Sequence, residues 1–246
     1  MTQISNLQPN TMYQQPAKAL LEATVNTGQA RSRRTVANVT LCDYTISATQ
    51  LTSSYSDLAT VGASSNIMSS AGLPFQTGMA GNLVVNLTGG TNSIAGYYSL
   101  ISVDGSHNGT FDRYVNTSGG ALATGAGTAY FMGPLPFIDV SDFSELTILV
   151  KAVNVVTTAG AGLTMLIQGY DPVDSVYYNQ PLSATGANIP TNPSATITVP
   201  GTTGAFTQVL ASYVLPNCLG DFLRVGLGCT TKYTSGGFRI TIKGKG

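Results

Sequence analysis

The sequence predicts an all-β protein, an antiparallel β-sandwich, and three observations carry that expectation. Apolar residues alternate at a period of two over 137–178, where Leu146, Ile148 and Val150 stand between Thr147, Leu149 and Lys151. That period places every second side chain on one face of a strand, so one face is set to be buried. The apolar runs are rich in β-branched residues and are bounded by turn pairs such as Gly133-Pro134, Asp171-Pro172 and Pro200-Gly201, as strands and their connections are. Only one window has helical spacing, PAKALLEATV over 16–25. Pro16 suits its first turn, Leu20, Leu21 and Val25 share roughly one side, and Gly28 ends it. A helix that short needs something to dock on. The predicted architecture is therefore a jelly-roll-like sandwich with an extended N-terminal arm holding at most one short helix.

In chain order, residues 1–38 read as the arm, punctuated by Pro9 and Pro16. Met12, Tyr13, Leu20 and Leu21 serve as apolar anchors, and Arg31, Arg33 and Arg34 form a basic cluster. Residues 39–136 form a first β region, either a separate domain or half of one sandwich. Its strands are expected at 39–47, 58–61, 83–87, 97–103 and 128–132. The Gly-, Ser-, Thr- and Asn-rich stretch 104–128 reads as a long, exposed and mobile loop, from which 116–125 is expected to be removable without loss of the fold. Residues 137–246 form a C-terminal β-sandwich module. Its strands are expected over 146–156 and 163–169, then at 194–199, 206–214, 222–229 and 238–242.

Charge narrows the function classes. Only 9% of residues are charged, while 43% are apolar, so the chain folds, yet its surface is poorly protected against association. Such a surface suits a protein covered by neighbours in an assembly. Net charge is zero but unevenly placed. The first 40 residues hold Lys18, Arg31, Arg33 and Arg34 against Glu22, net +3, and the rest holds seven basic and ten acidic groups, net −3. A basic arm on a slightly acidic body can dock on an acidic partner. Three clustered arginines neutralise too few phosphates to make nucleic acid an expected partner.

Cys42, Cys218 and Cys229 lack CxxC spacing, and His107 is the only histidine, so no zinc pattern exists. The N-terminal residues lack a basic and an apolar signal region, and no apolar run nears ~18 residues. Folding in a reducing, cytoplasmic compartment and no membrane partner are expected.

Candidate chemistry is sparse. Asp104, Ser106, Asn108 and Asp112 follow the early spacing of a calcium loop, with Gly109 sixth. Position twelve is Val115 in place of the bidentate glutamate, so the metal reading is weak against a plain Asn-Gly hairpin turn. His107 reads as a solvated turn residue, and no Gly-x-Ser-x-Gly elbow accompanies the many serines. Paired acids for glycoside hydrolysis have little material, since only Glu22 and Glu145 are glutamates and tryptophan is absent. In Tyr97-Tyr98 and Tyr177-Tyr178, one ring of each pair is expected in the core. Arg224 shares a strand face with Phe222 and is expected to be partly exposed and paired to Asp171 or Asp221. No cofactor and no enzymatic activity are expected.

Several motifs in 137–246 resemble a β-sandwich module of tailed-bacteriophage virion proteins. They are Asp-Val-Ser-x-Phe-x-Glu-Leu (139–146), Gly-Tyr-Asp-Pro-Val-x-x-x-Tyr-Tyr (169–178), Leu215-Pro216, and Gly-x-Phe-Leu-Arg-Val (220–225). The resemblance implies a capsid decoration or cement protein, or a head-fibre, tail or baseplate module. It also implies other virion proteins as partners, such as the major capsid or tail protein, and a homo-oligomer, with a trimer among the possibilities. A receptor- or carbohydrate-binding tail module and a shell-forming jelly-roll capsid protein are the alternatives.

Overall fold

The computed structural model describes residues 39–51, 54–133, 137–156, 162–171, 173, 176–179, 194–201, 204–215, 221–229 and 233–246. The arm lies outside the described residues, with its helical window and with Met12, Tyr13, Leu20, Leu21, Arg31, Arg33 and Arg34; Cys218 does too.

The described chain is built of antiparallel strands. In order they are β1 (Val39–Ser47), β2 (Tyr55–Leu58), β3 (Ile67–Met68), β4 (Leu83–Thr91), β5 (Gly96–Val103), β6 (Gly109–Phe111), β7 (Ala123–Met132) and β8 (Ile138–Asp139). There follow β9 (Glu145–Val156), β10 (Leu163–Asp171), β11 (Val176–Asn179), β12 (Ser194–Ile197), β13 (Phe206–Leu215), β14 (Phe222–Cys229) and β15 (Ser235–Lys245). The small sheet has the order β1-β15-β9-β13, and the large sheet β11-β10-β14-β7-β4-β5-β6-β3, with β12 also on β10.

Eight strands form a rolled double ribbon: β1, β7, β9, β10, β12, β13, β14 and β15. The first pairs with the eighth from Val39↔Gly244 to Ser47↔Gly237. The second pairs with the seventh at Gly226↔Met132 and Leu227↔Phe131, the third with the sixth, and the fourth with the fifth at Leu163↔Ile197. Rolling then sets the eighth beside the third and the seventh beside the fourth. This is the strand order of a jelly roll, an antiparallel double-sheet sandwich.

Alternation explains why the two sheets face each other. Leu146, Ile148, Val150 and Ala152 of β9 are fully buried, as are Ile240 and Ile242 of β15. They join Met165 and Ile167 of β10 and Leu223, Val225 and Leu227 of β14 in one core cluster. Each such side chain contributes roughly 1.5–3 kcal/mol on burial. Tyr44 ties the sheets at one side: its hydroxyl donates to the Val225 carbonyl at 2.8 Å. Its ring fills the place a Cβ on Gly133 would occupy.

Between the first and second ribbon strands the chain makes a long excursion, β2 to β6, which extends the large sheet past β7. Strands from 39–133 and from 137–246 thus share both sheets and one core cluster. The excursion corrects the reading of 104–128 as an exposed loop. It contains β6 and the start of β7, and Phe111, Val115 and Leu122 are buried in the core. Composition misled because its polar groups are satisfied internally. Asn116, 1% exposed, donates from Nδ2 to Thr60 Oγ1 (3.0 Å), Gly62 O (2.8 Å) and Gly120 O (2.8 Å), and its Oδ1 accepts from Ser65 N–H (2.7 Å). Removing 116–125 would remove this hub, so the expectation that the fold tolerates the deletion is withdrawn.

Candidate interaction surfaces

The outer face of the large sheet carries the densest grouping of functional side chains. On β14, Leu223 and Val225 point to the core, so Phe222 and Arg224 point away from it. Arg224 is 5% exposed. Its Nε and Nη2 donate to Gln168 Oε1 at 2.9 and 2.6 Å, and Nη2 also donates to Ser99 Oγ at 2.9 Å. Its guanidinium carbon lies 3.2 Å from the centroid of the Tyr177 ring, a cation–π stack. Burial holds its pKa down to about 10, against the raising influence of Tyr177 and Asp112.

This corrects the expected partner. Arg224 is buried, and the neighbour opposite it on β10 is Gln168, an amide in place of Asp171 or Asp221. Ser99 lies on β5, three strands away in sheet order. The side chain therefore clamps the excursion to the jelly roll. Ser99 N–H also donates to Asp112 Oδ1 at 3.2 Å, and burial raises the Asp112 pKa despite Arg113 beside it.

Beyond the clamp, four half-buried rings meet. Phe137 stacks on Tyr170 (centroids 5.2 Å, interplanar 8°) and meets Phe222 edge-on at 4.9 Å, while Tyr170 contacts Tyr177 at 4.9 Å. Chemically, this face offers flat apolar area next to a cation and amides, which suits contact rather than bond making. Tyr98 is core and Tyr97 half-buried, the split expected of neighbouring strand residues; Tyr178's side chain lies outside what is described.

Of the four calcium-loop residues, Asp104, Ser106 and Asn108 share one turn and Asp112 stands apart from it. Asp104 caps the β5–β6 turn: Oδ1 accepts from Ser106 N–H (2.8 Å) and Asn108 N–H (2.9 Å), and Oδ2 from Asn108 Nδ2 (2.8 Å). Asp112 belongs to the Ser99 level of the sheet, several residues from that turn. Among the described residues, no group of three His, Cys, Asp or Glu is arranged to hold a metal. His107 sits exposed in the turn at φ +63°, its Nδ1 3.0 Å from the Phe75 carbonyl oxygen.

The outer face of the small sheet is the second surface. Arg239 grips Asp43 through two guanidinium nitrogens, Nε and Nη2, and both carboxylate oxygens, which lowers the Asp43 pKa. Lys243 and Lys245 follow on the same strand face, with Lys245 3.9 Å from Glu145. Beyond β9, which lies next to them, runs the edge strand β13, with Val209 and Val214 exposed. No described helix is long and apolar enough to cross a membrane.

Sequence reasoning singled out Arg224 but missed Gln168, Ser99 and Asn116. Gln168 was reachable in principle, since pairing β10 with β14 sets it opposite Arg224. Nothing local marks Ser99 or Asn116, whose partners lie 125 and 56 residues away along the chain. Comparison with protein-family models, with curated proteins and with solved structures gave no match.

Proposed function

We propose that this chain is a non-enzymatic structural component of a bacteriophage virion, a capsid decoration or cement protein attached through its arm and its sandwich. The observation that carries the reading is the pairing of a jelly-roll body with a low-charge surface and a basic, sparsely apolar 1–38 segment running into its first strand. Jelly rolls recur in viral capsid and lectin domains, so the fold agrees with the motif resemblance in 137–246 by analogy. The described faces are built for contact: an aromatic surface locked by Arg224 on one side, an uncharged edge strand on the other.

Attachment through a long arm adds contact area without enlarging the core. An extended arm of this length reaches tens of ångströms at ~3.3 Å per residue. Partners are then other virion proteins and further copies of the chain. A density map of the intact particle tests the reading directly: the chain should occupy the capsid exterior. Density on the shell lattice itself would favour the shell-forming alternative, which the jelly-roll order also fits. Absence from the particle would overturn the proposal.

A further inference from the structure

We infer that two copies of this chain associate through β13, edge to edge and antiparallel, to make one continuous eight-stranded sheet. Among the described residues each sheet ends in edge strands, and stable proteins blunt such edges. Three are blunted here. On the large sheet β3 has two residues, and β11 and β12 four each. On the small sheet β1 carries the charge of Asp43, held by Arg239, and charge on an edge strand opposes pairing with another chain.

β13 is different. It is ten residues long, FTQVLASYVL, without a charge or a proline. Its register against β9 shifts near Phe206 and Val209 but then runs unbroken from Ala211↔Val150 to Leu215↔Leu146. Of its core-facing residues Leu215 is buried but Phe206, Leu210, Ala211 and Tyr213 are only partly so, and Val209 and Val214 are 54% and 41% exposed on the other face. An added strand would cover both rows while satisfying the backbone, and only an extended strand can do so.

A second copy of β13 fits that requirement. The unbroken stretch 211–215 is centred on Tyr213, and an antiparallel self-pair needs a two-fold axis at its centre, the isologous arrangement. Charge placement agrees. Tyr213 lies opposite Ile148, and the two charges of β9, Glu145 and Lys151, stand three residues to either side of it. The axis therefore brings each copy's Lys151 level with the other's Glu145, and no like charges meet. The pair of uncharged strands between them carries no repulsion.

Sedimentation equilibrium of the full chain tests this. The unaltered chain should show a concentration-dependent dimer. The Ser212→Lys, Val214→Lys double variant sets four lysines together across the axis and should weaken the dimer by roughly tenfold or more. Both positions are exposed, so circular dichroism should be unchanged. Val61→Lys, at a 97% exposed site remote from β13, should leave the dimer intact. A Ser212→Cys, Val214→Cys variant, oxidised, should give a covalent dimer through 212 of one copy and 214 of the other. A monomer at all concentrations would overturn the inference. So would a dimer, trimer or larger assembly that ignores the β13 lysines.

Discussion

Replacing Asn116 with alanine tests whether the 104–128 stretch is structural. The side chain makes four hydrogen bonds, three to the 60–65 stretch of the excursion and one to Gly120. Thr60 Oγ1, one of those partners, also accepts from Leu122 N–H at 2.8 Å, so the network ties Asn116 and Leu122 to one buried hydroxyl. A net hydrogen bond stabilises by about 1 kcal/mol. Water can replace the amide at the partly exposed partners but not at buried Thr60, so the expected loss is about 2–4 kcal/mol. For a chain of this size that lowers the melting midpoint by roughly 4–16 °C. Calorimetry or urea unfolding reads it. Asn116→Asp sharpens the test, because it keeps the acceptor for Ser65 but aims a carboxylate oxygen at three acceptors. Those acceptors raise its folded-state pKa above the unfolded value. The folded state then holds more protons between the two pKa values, and stability falls as pH rises through that window. The aspartate variant should therefore lie close to the alanine variant at low pH and below it at neutral pH. An alanine variant with an unchanged midpoint would refute the network argument.

Further outcomes are expected. Arg224→Lys should cost about 1–3 kcal/mol in urea unfolding, because one ammonium cannot serve Gln168 and Ser99 while stacked on Tyr177; equal stability would mean the clamp carries no load. Gly228→Ala should cost about 1–3 kcal/mol or prevent folding, since a Cβ there meets the Ala129 carbonyl oxygen between β14 and β7; a neutral alanine would contradict that packing. Tyr44, Tyr98 and Tyr233 have pKa values raised by burial, so the folded state holds protons that the unfolded state loses. Stability should fall as pH rises above about 10, and a flat alkaline profile in thermal melts would exclude it. Cys42 and Cys229 are buried, with the Cys42 thiol pushed up to about 12 by burial and Asp43. A thiol reagent should therefore leave both unmodified until denaturant is added, and rapid modification of either in mapped peptides would count against their burial.

The strands themselves were legible in the sequence where one face is buried and the other is not. Leu146, Ile148 and Val150 alternate so regularly that β9 could be placed without a partner, and β1 and β14 were bounded to the residue. Alternation also implied that one of Tyr97 and Tyr98 is core, and the structure makes it Tyr98. Composition, however, cannot distinguish a polar group facing water from one facing another polar group. Asn116 and Thr60 have the same chemistry in a loop as in a buried hub, and only the fold brings them together. The same limit misassigned Arg224's partner, because a carboxylate nearby in sequence is not nearby in space. Pairing β10 with β14 put Gln168 opposite it, and the large sheet carries Ser99 of β5 within hydrogen-bond distance. Local side-chain pattern determined which residues are inside; which strands become neighbours, and so which polar groups meet, was decided by the rolling of the ribbon, a long-range choice that no local window contains.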